Sequence, residues 1–158
     1  MSYVVLWLLS FFVVPPVERQ APEIGRDTRE LLEIHTTDRR AHFATDPNLL
    51  FSNTGDGFIS VSQGRINRPT VEALKTRFTD VFAGATYAEW DDLEPPIVQV
   101  SADGSQAWMI VRLRVRRTKT VAGAAPAQEQ FIYAGITTFA KRNGKWVKTA
   151  NVSTFEGS

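Results

Sequence analysis

Two residues near the end of the chain, Asn143-Gly144, constrain its fold more than any others. They separate two runs rich in β-branched and aromatic side chains, Gln130 to Arg142 and Lys145 to Phe155. A two-residue connection between antiparallel strands needs positive φ at both positions, which Asn and Gly tolerate, so the pair predicts a tight hairpin. A longer strand candidate, Gln106 to Thr118, comes before it across the flexible stretch Val121 to Ala127. The turn Ala102-Asp103-Gly104-Ser105 divides that strand from Ile97 to Ser101. Helical patterns come first in the chain and strands after them. That order predicts an α+β fold in which N-terminal helices cover one face of a curved antiparallel sheet, and the curvature makes a pocket.

Composition narrows the class. The chain has 158 residues, enough for one domain with a single core, and 43% of them are apolar, so it folds without staples. Its net charge of +1 draws it neither to nucleic acid nor to acidic lipid. Without cysteine, disulfides, thiolate catalysis and cysteine metal sites are excluded. With two histidines, a multi-histidine zinc site within one chain is excluded as well. There is no Gly-rich phosphate loop and no nucleophile elbow, and no cofactor is expected.

The first 25 residues are read apart from the rest. Tyr3 to Val14 is apolar except for Ser10 and is broken by Pro15-Pro16. About twelve residues fall short of the roughly twenty that span a bilayer, but suit the apolar region of a signal peptide. No Lys or Arg precedes the segment, so an apolar start packed on the domain or on a partner, or a misassigned start codon, fits too. Val17 to Gly25 reads as linker, giving residues 1–25 as an apolar segment with linker and 26–158 as the domain. Export and a cytoplasmic location are equally compatible with this pattern, and membrane contact follows only if the segment is retained.

Arg26 to Thr45 reads as the main helix, capped by Asp27 or Thr28, with Leu31, Ile34, His35, Asp38, Ala41 and His42 on one side. Asp46-Pro47 stops it and opens a short helix, Asn48 to Ser52, followed by a turn cluster from Asn53 to Gly57. Phe58 to Gln63 reads as a strand, with Phe58, Ser60 and Ser62 on one face, and Gly64 to Arg68 as a loop. Pro69-Thr70 opens another helix, which Gly84 ends in the C′ role. Thr86 to Asp91 begins the sheet, and Pro95-Pro96 interrupts it.

Asp38 is the first candidate for chemistry, because a carboxylate on the inward face must be paired or have a raised pKa. It serves either as a pocket acid or base with His35, or as a structural partner of a strand arginine such as Arg112. His42 completes that face as a general base or a core histidine, and three groups along one helical line converge poorly on a metal ion. By simple alternation Tyr87 and Asp91 share a face and Trp90 takes the other; they read as a ligand wall or as aromatic packing beside a solvated acidic turn. On the long strand Arg112 is expected to reach inward, with the more distal arginines solvated. Tyr133, Gly135, Thr137 and Phe139 share a face, and Asn151 needs a partner: a ligand, a backbone group or a tyrosine hydroxyl.

The order of elements, the Leu31, Leu32, His35 and Asp46 run, the Gly144-Lys145-Trp146 hairpin and the closing Asn151-Val152-Ser153 together resemble the nuclear transport factor 2-like superfamily, and within it SnoaL-like proteins. The resemblance spans roughly residues 26 to 155 and implies a cone-shaped α+β barrel, often a homodimer through the outer sheet face. Members include isomerases, cyclases, dehydratases and pure binding modules, so fold alone does not decide function. SnoaL-like closing strands often carry histidines after the Gly-Lys-Trp; here those places hold Ala150 and Val152. Ketosteroid isomerases of the superfamily carry a first-helix tyrosine eight residues before the aspartate that opens the second helix, a place held here by Asp38. Their general-base aspartate lies sixteen residues after it, where this chain has Ser62, which cannot abstract a carbon-bound proton without a base of its own. The expectation is therefore a small-molecule-binding domain without catalysis. An isomerase-, cyclase- or dehydratase-type enzyme using Asp38 and His35 as acid and base is the alternative.

Overall fold

A computed structural model describes residues 21–157. The first helix, α1 (Ala21–Ala44), leads through Asp46 into α2 (Pro47–Leu50). The Asp46 carboxylate accepts from the amides of Asn48 and Leu49, at 2.8 and 3.1 Å, which starts the new helix where Pro47 forbids continuing the old one. Helix α3 (Val71–Phe82) is capped by Thr70, whose hydroxyl accepts from the amide of Ala73. Gly84, at φ 68°, takes the C′ position, and a Cβ there would stand 2.1 Å from the carbonyl oxygen of Thr120, so no other residue fits.

The strands are β1 (Thr54–Ser62), β2 (Arg65–Asn67), β3 (Ala85–Asp92), β4 (Ile97–Val100), β5 (Gln106–Lys119), β6 (Ala127–Arg142) and β7 (Lys145–Gly157). They form one sheet in the order β2-β1-β7-β6-β5-β3, with β4 also paired to β5. Asn143 and Gly144 have φ of 50° and 76°, as the hairpin between β6 and β7 requires. The sheet is mixed rather than wholly antiparallel, because β1 runs parallel to β7.

Three local expectations are corrected. Helix α1 begins at Ala21, inside the stretch read as linker, so Asp27 is not its cap; the rest of the N-terminal reading lies outside the described residues. The supposed loop after Gly64 contains β2, paired to β1 across Gln63-Gly64, both at positive φ. The turn cluster before Phe58 belongs to β1, which shifts register between Thr54 and Ile59.

Two clusters form the core. One gathers Ala41 of α1, Leu50 of α2 and Phe82 of α3 against Tyr87, Trp90, Leu113 and Val115. The other sets Leu31 and Ile34 of α1 on Ala107, Met109, Phe139 and Trp146. Leu31 and Leu113 are almost wholly buried, each worth about 2 kcal/mol of transfer free energy. Because side chains alternate along a strand, this buried set turns the even-numbered residues of β5 to the opposite, convex face. There the paired residues Ile97, Ile110, Ile136, Val152, Val61 and Ile66 make one aliphatic row across β4, β5, β6, β7, β1 and β2.

Candidate functional site

Among the described residues, the helices cover only part of the concave face. Buried residues lie beneath α1, whereas Phe131, Tyr133, Gly135 and Thr137 on β6, and Asn151 and Ser153 on β7, are half-exposed. Ser60 and Ser62 of β1 pair with Asn151 and Ser153, which extends this open half with polar groups. A hollow of about 430 Å³ is bounded by Gln63, Gly64, Ser153, Thr154 and Phe155. Phe155 stands edge-on to both Tyr133 and Phe131, at 5.4 and 6.0 Å between ring centres. A second hollow, about 450 Å³, lies around Gln99, Trp108, Thr138 and Thr149.

Gly135 governs the shape of the open half. A Cβ at this position would lie 2.5 Å from the hydroxyl oxygen of Tyr133 and 2.8 Å from its Cζ. The ring of Tyr133 therefore lies down along its own strand, over the glycine, which brings the hydroxyl to Asn151. Asn151 Nδ2 donates to Tyr133 Oη and to Thr137 Oγ1, both at 3.0 Å. The carbonyl of Ile136, 3.4 Å from the same nitrogen, can only accept, which fixes the sense of the amide. The return contact from the tyrosine hydroxyl to Asn151 Oδ1 is 3.4 Å, long for an O–H···O bond. Burial, reinforced by the charge of Asp38, pushes the Tyr133 phenol above its ordinary pKa, so it stays protonated.

Asp38 faces inward, and its side chain is 21% exposed. Its partner is Lys148 of β7, not Arg112: Lys148 Nζ donates to Asp38 Oδ1 at 2.5 Å and to the carbonyl of Leu50 at 3.3 Å. Arg112 lies exposed on the convex face, because the buried odd-numbered residues of β5 leave it no inward position. His35 is buried and bonds through Nε2 to both carboxylate oxygens of Asp92 at 3.0 Å. Asp38 and His35 thus sit in two separate pairs.

His42 is the histidine next to Asp38. Its Nδ1–H donates to the Asp38 carbonyl at 2.7 Å, since a carbonyl can only accept, and its ring stacks on Trp90 at 4.8 Å. Burial pushes its pKa below the ordinary 6.5, against a smaller opposing pull from Asp38. Neutral His42 therefore belongs to an aromatic wall with Tyr87 and Phe82.

A bulge decides the fate of Asp91. Register shifts between Tyr87 and Glu89, so Tyr87 and Trp90 are buried together and Asp91 is turned away from them. Simple alternation, which puts Tyr87 with Asp91, fails here. Asp91 instead binds Arg39, whose Nε also donates to the carbonyl of Trp90 at 3.0 Å. The Tyr87 hydroxyl accepts from Arg117, which also binds Glu129.

Several site features have little or no sequence signal. Lys148, Gly135 and Thr137 gain their meaning from contacts across strands. Asp27, wholly buried, binds Lys141 and the indole of Trp146 and anchors α1 at the other end of the sheet. Among the described residues no group of three or more His, Asp or Glu could hold a metal ion, and no helix is long and apolar enough to cross a membrane.

The sequence matches no family model and no curated protein. Solved structures do match its backbone. A ketosteroid isomerase-like protein from Erwinia carotovora atroseptica is 12% identical, with a TM-score of 0.62 over 88% of this chain and 100% of that one. An NTF2-like protein with a cystatin-like fold from Novosphingobium aromaticivorans is 15% identical, with a TM-score of 0.59 over 84% and 83%. The association domain of C. elegans CaMKII is 11% identical, with a TM-score of 0.55 over 84% and 98%. Identities this low speak for the backbone, and they agree with the element order and the half-covered curved sheet: the chain folds as a nuclear transport factor 2-like, cystatin-like α+β cone.

Proposed function

We propose that the chain binds a small molecule on the open half of its concave face and has no catalytic activity of its own. The observation that carries this reading is the half-exposed strip of Phe131, Tyr133, Asn151, Ser153 and Phe155 beside a hollow of about 430 Å³. Such a surface joins aromatic walls to a few fixed polar groups, the usual make-up of a ligand site. An acid–base enzyme working through Asp38 and His35 is less well supported, because each is committed to another partner, Lys148 and Asp92.

The reading is tested by thermal shift with a panel of small apolar metabolites on wild type and on Ser153→Leu, which fills the hollow. Ligands that bind the folded state raise Tm. Hits on wild type that vanish in Ser153→Leu, with an unchanged ligand-free Tm, support the site. A panel without hits, or hits indifferent to Ser153, overturns it.

We further propose that the molecule is a homodimer through the convex face. The aliphatic row there leaves Ile97, Ile110, Val152 and Ile66 37–63% exposed. Exposed apolar surface that continuous marks an interaction face. Association domains among the structural neighbours support an assembling role for this fold.

A further inference from the structure

We propose a second binding site, on the convex side of the sheet, that takes a neutral saccharide: the hollow of about 450 Å³ around Trp108. It lies on the opposite side of the sheet from the concave surface, and it does not depend on the reading of that surface.

Strand register assembles the hollow. Gln99 of β4, Trp108 of β5 and Thr138 of β6 are direct cross-strand partners, so their side chains stand in one row on the convex face. That row is two residues along each strand from Ile97, Ile110 and Ile136. Between Thr138 and Phe139 the pairing of β6 with β7 shifts, which leaves Thr149 as the extra residue of a bulge. Plain alternation from Asn151 would send Thr149 to the concave side. The bulge turns it over instead, and its hydroxyl meets that of Thr138 at 2.9 Å. Opposite Gln106 stands Ala140, whose small side chain leaves the depression open.

The chemistry of this lining selects the ligand. None of the described residues that bound the hollow is charged, so an ionic ligand would find no counter-charge among them. The polar groups are amides, from Gln99 and Gln106, and hydroxyls, from Ser101, Thr138 and Thr149. Each of these groups both donates and accepts, as sugar hydroxyls do. One threonine hydroxyl donates to the other, which leaves the pair a hydrogen to give and lone pairs to fill. Trp108 adds a broad ring whose negative face suits the weakly positive C–H groups of a pyranose. A purely apolar ligand would leave the amides and hydroxyls unanswered, whereas a saccharide engages both kinds of surface.

The test is a nuclear magnetic resonance titration of the nitrogen-15-labelled full chain. The probes are methyl β-D-glucopyranoside, cellobiose, maltose and diacetylchitobiose, each taken to tens of millimolar, with methyl β-D-glucuronide as the charged match to the first. The indole N–H signals of the tryptophans are assigned by substitution, so Trp108 on the convex face and Trp90 on the concave side report separately. At least one neutral probe should move the Trp108 indole and the amides of Thr138 and Thr149, and leave Trp90 in place. Thr149→Val keeps the shape and removes one hydroxyl; it should weaken that probe about three- to tenfold. Trp108→Ala should abolish the shifts at Thr138 and Thr149, with circular dichroism confirming the fold of both variants. The glucuronide should bind more weakly than the glucoside. The site is overturned if no probe moves Trp108, if the shifts gather at Trp90, or if Thr149→Val and Trp108→Ala bind as wild type does. Shifts that appear only in Ile136→Lys would place the hollow beneath a second copy of the chain, and would overturn it too. Equal binding of the glucuronide would overturn the preference for a neutral sugar.

Discussion

At the scale of single residues, the Asp38–Lys148 pair decides how tightly α1 is fastened to the sheet. Both groups are largely out of water, with side chains 21% and 10% exposed, so removing one charge strands the other. Asp38→Asn should lower stability by about 2 kcal/mol in urea unfolding, discounted for the partial exposure of the carboxylate. Lys148→Met in the same background should recover much of the loss, since the pair matters more as mutual compensation than as net attraction. A double variant no better than the single one would mean that Asp38→Asn destabilises for a reason other than the stranded charge. His42 makes a second, independent prediction. Its folded pKa lies below the ordinary 6.5, so the unfolded chain binds a proton more readily. Stability from this group is therefore whole above pH 6.5 and drains away as pH falls through the folded value. As pH falls from 6.5 toward the folded value, wild-type Tm should fall more steeply than that of His42→Gln, and parallel slopes there would exclude the burial of neutral His42 as the cause.

At the scale of elements, turns carry much of the fold. Gly144 sits at φ 76° with nothing within 4 Å of where a Cβ would stand, so Gly144→Ala isolates the backbone cost of the left-handed turn. That cost is about 1 to 2 kcal/mol, readable as a shift in the urea midpoint with an unchanged slope. Lys119 does comparable work for α3 from a distant strand: its ammonium donates to the carbonyls of Val81 and Ala83, at 2.8 and 2.6 Å, at the helix C-terminus. The contrast shows which parts of the architecture are legible in the chain. Asn143-Gly144 is local chemistry, so the β6–β7 hairpin and the element order can be read from the residues alone. Gln63-Gly64 makes a similar turn with a residue that rarely takes positive φ, so the pattern there reads as loop and conceals β2. The bulge near Ala88 adds one residue to β3 and flips Asp91 away from Tyr87, which alternation cannot foresee. For the candidate site, the inward face of α1 and the need of Asn151 for a partner are legible, whereas which partner Asn151 takes, and the choice of Lys148 over Arg112, are not. The latter choice depends on which face of β5 is buried, and the facing strands settle it only once they are assembled.

For the molecule as a whole, the convex row predicts its assembly. Wild-type protein should sediment as a dimer at micromolar concentration, and Ile136→Lys, which puts a charge in the middle of the row, should sediment as a monomer that still unfolds cooperatively. A monomeric wild type would refute the interface. The direction of growth is set at the flanks. Arg39 leans from α1 across the free side of β3 and occupies the outward carbonyl of Trp90. The opposite flank is β2, only three residues long, all of them exposed. The β2 border offers only a short template for strand addition, and Arg39 interrupts the β3 border, which disfavours endless edge-to-edge stacking. The dimer we propose on the convex row would be a closed, face-to-face contact, which stops at two.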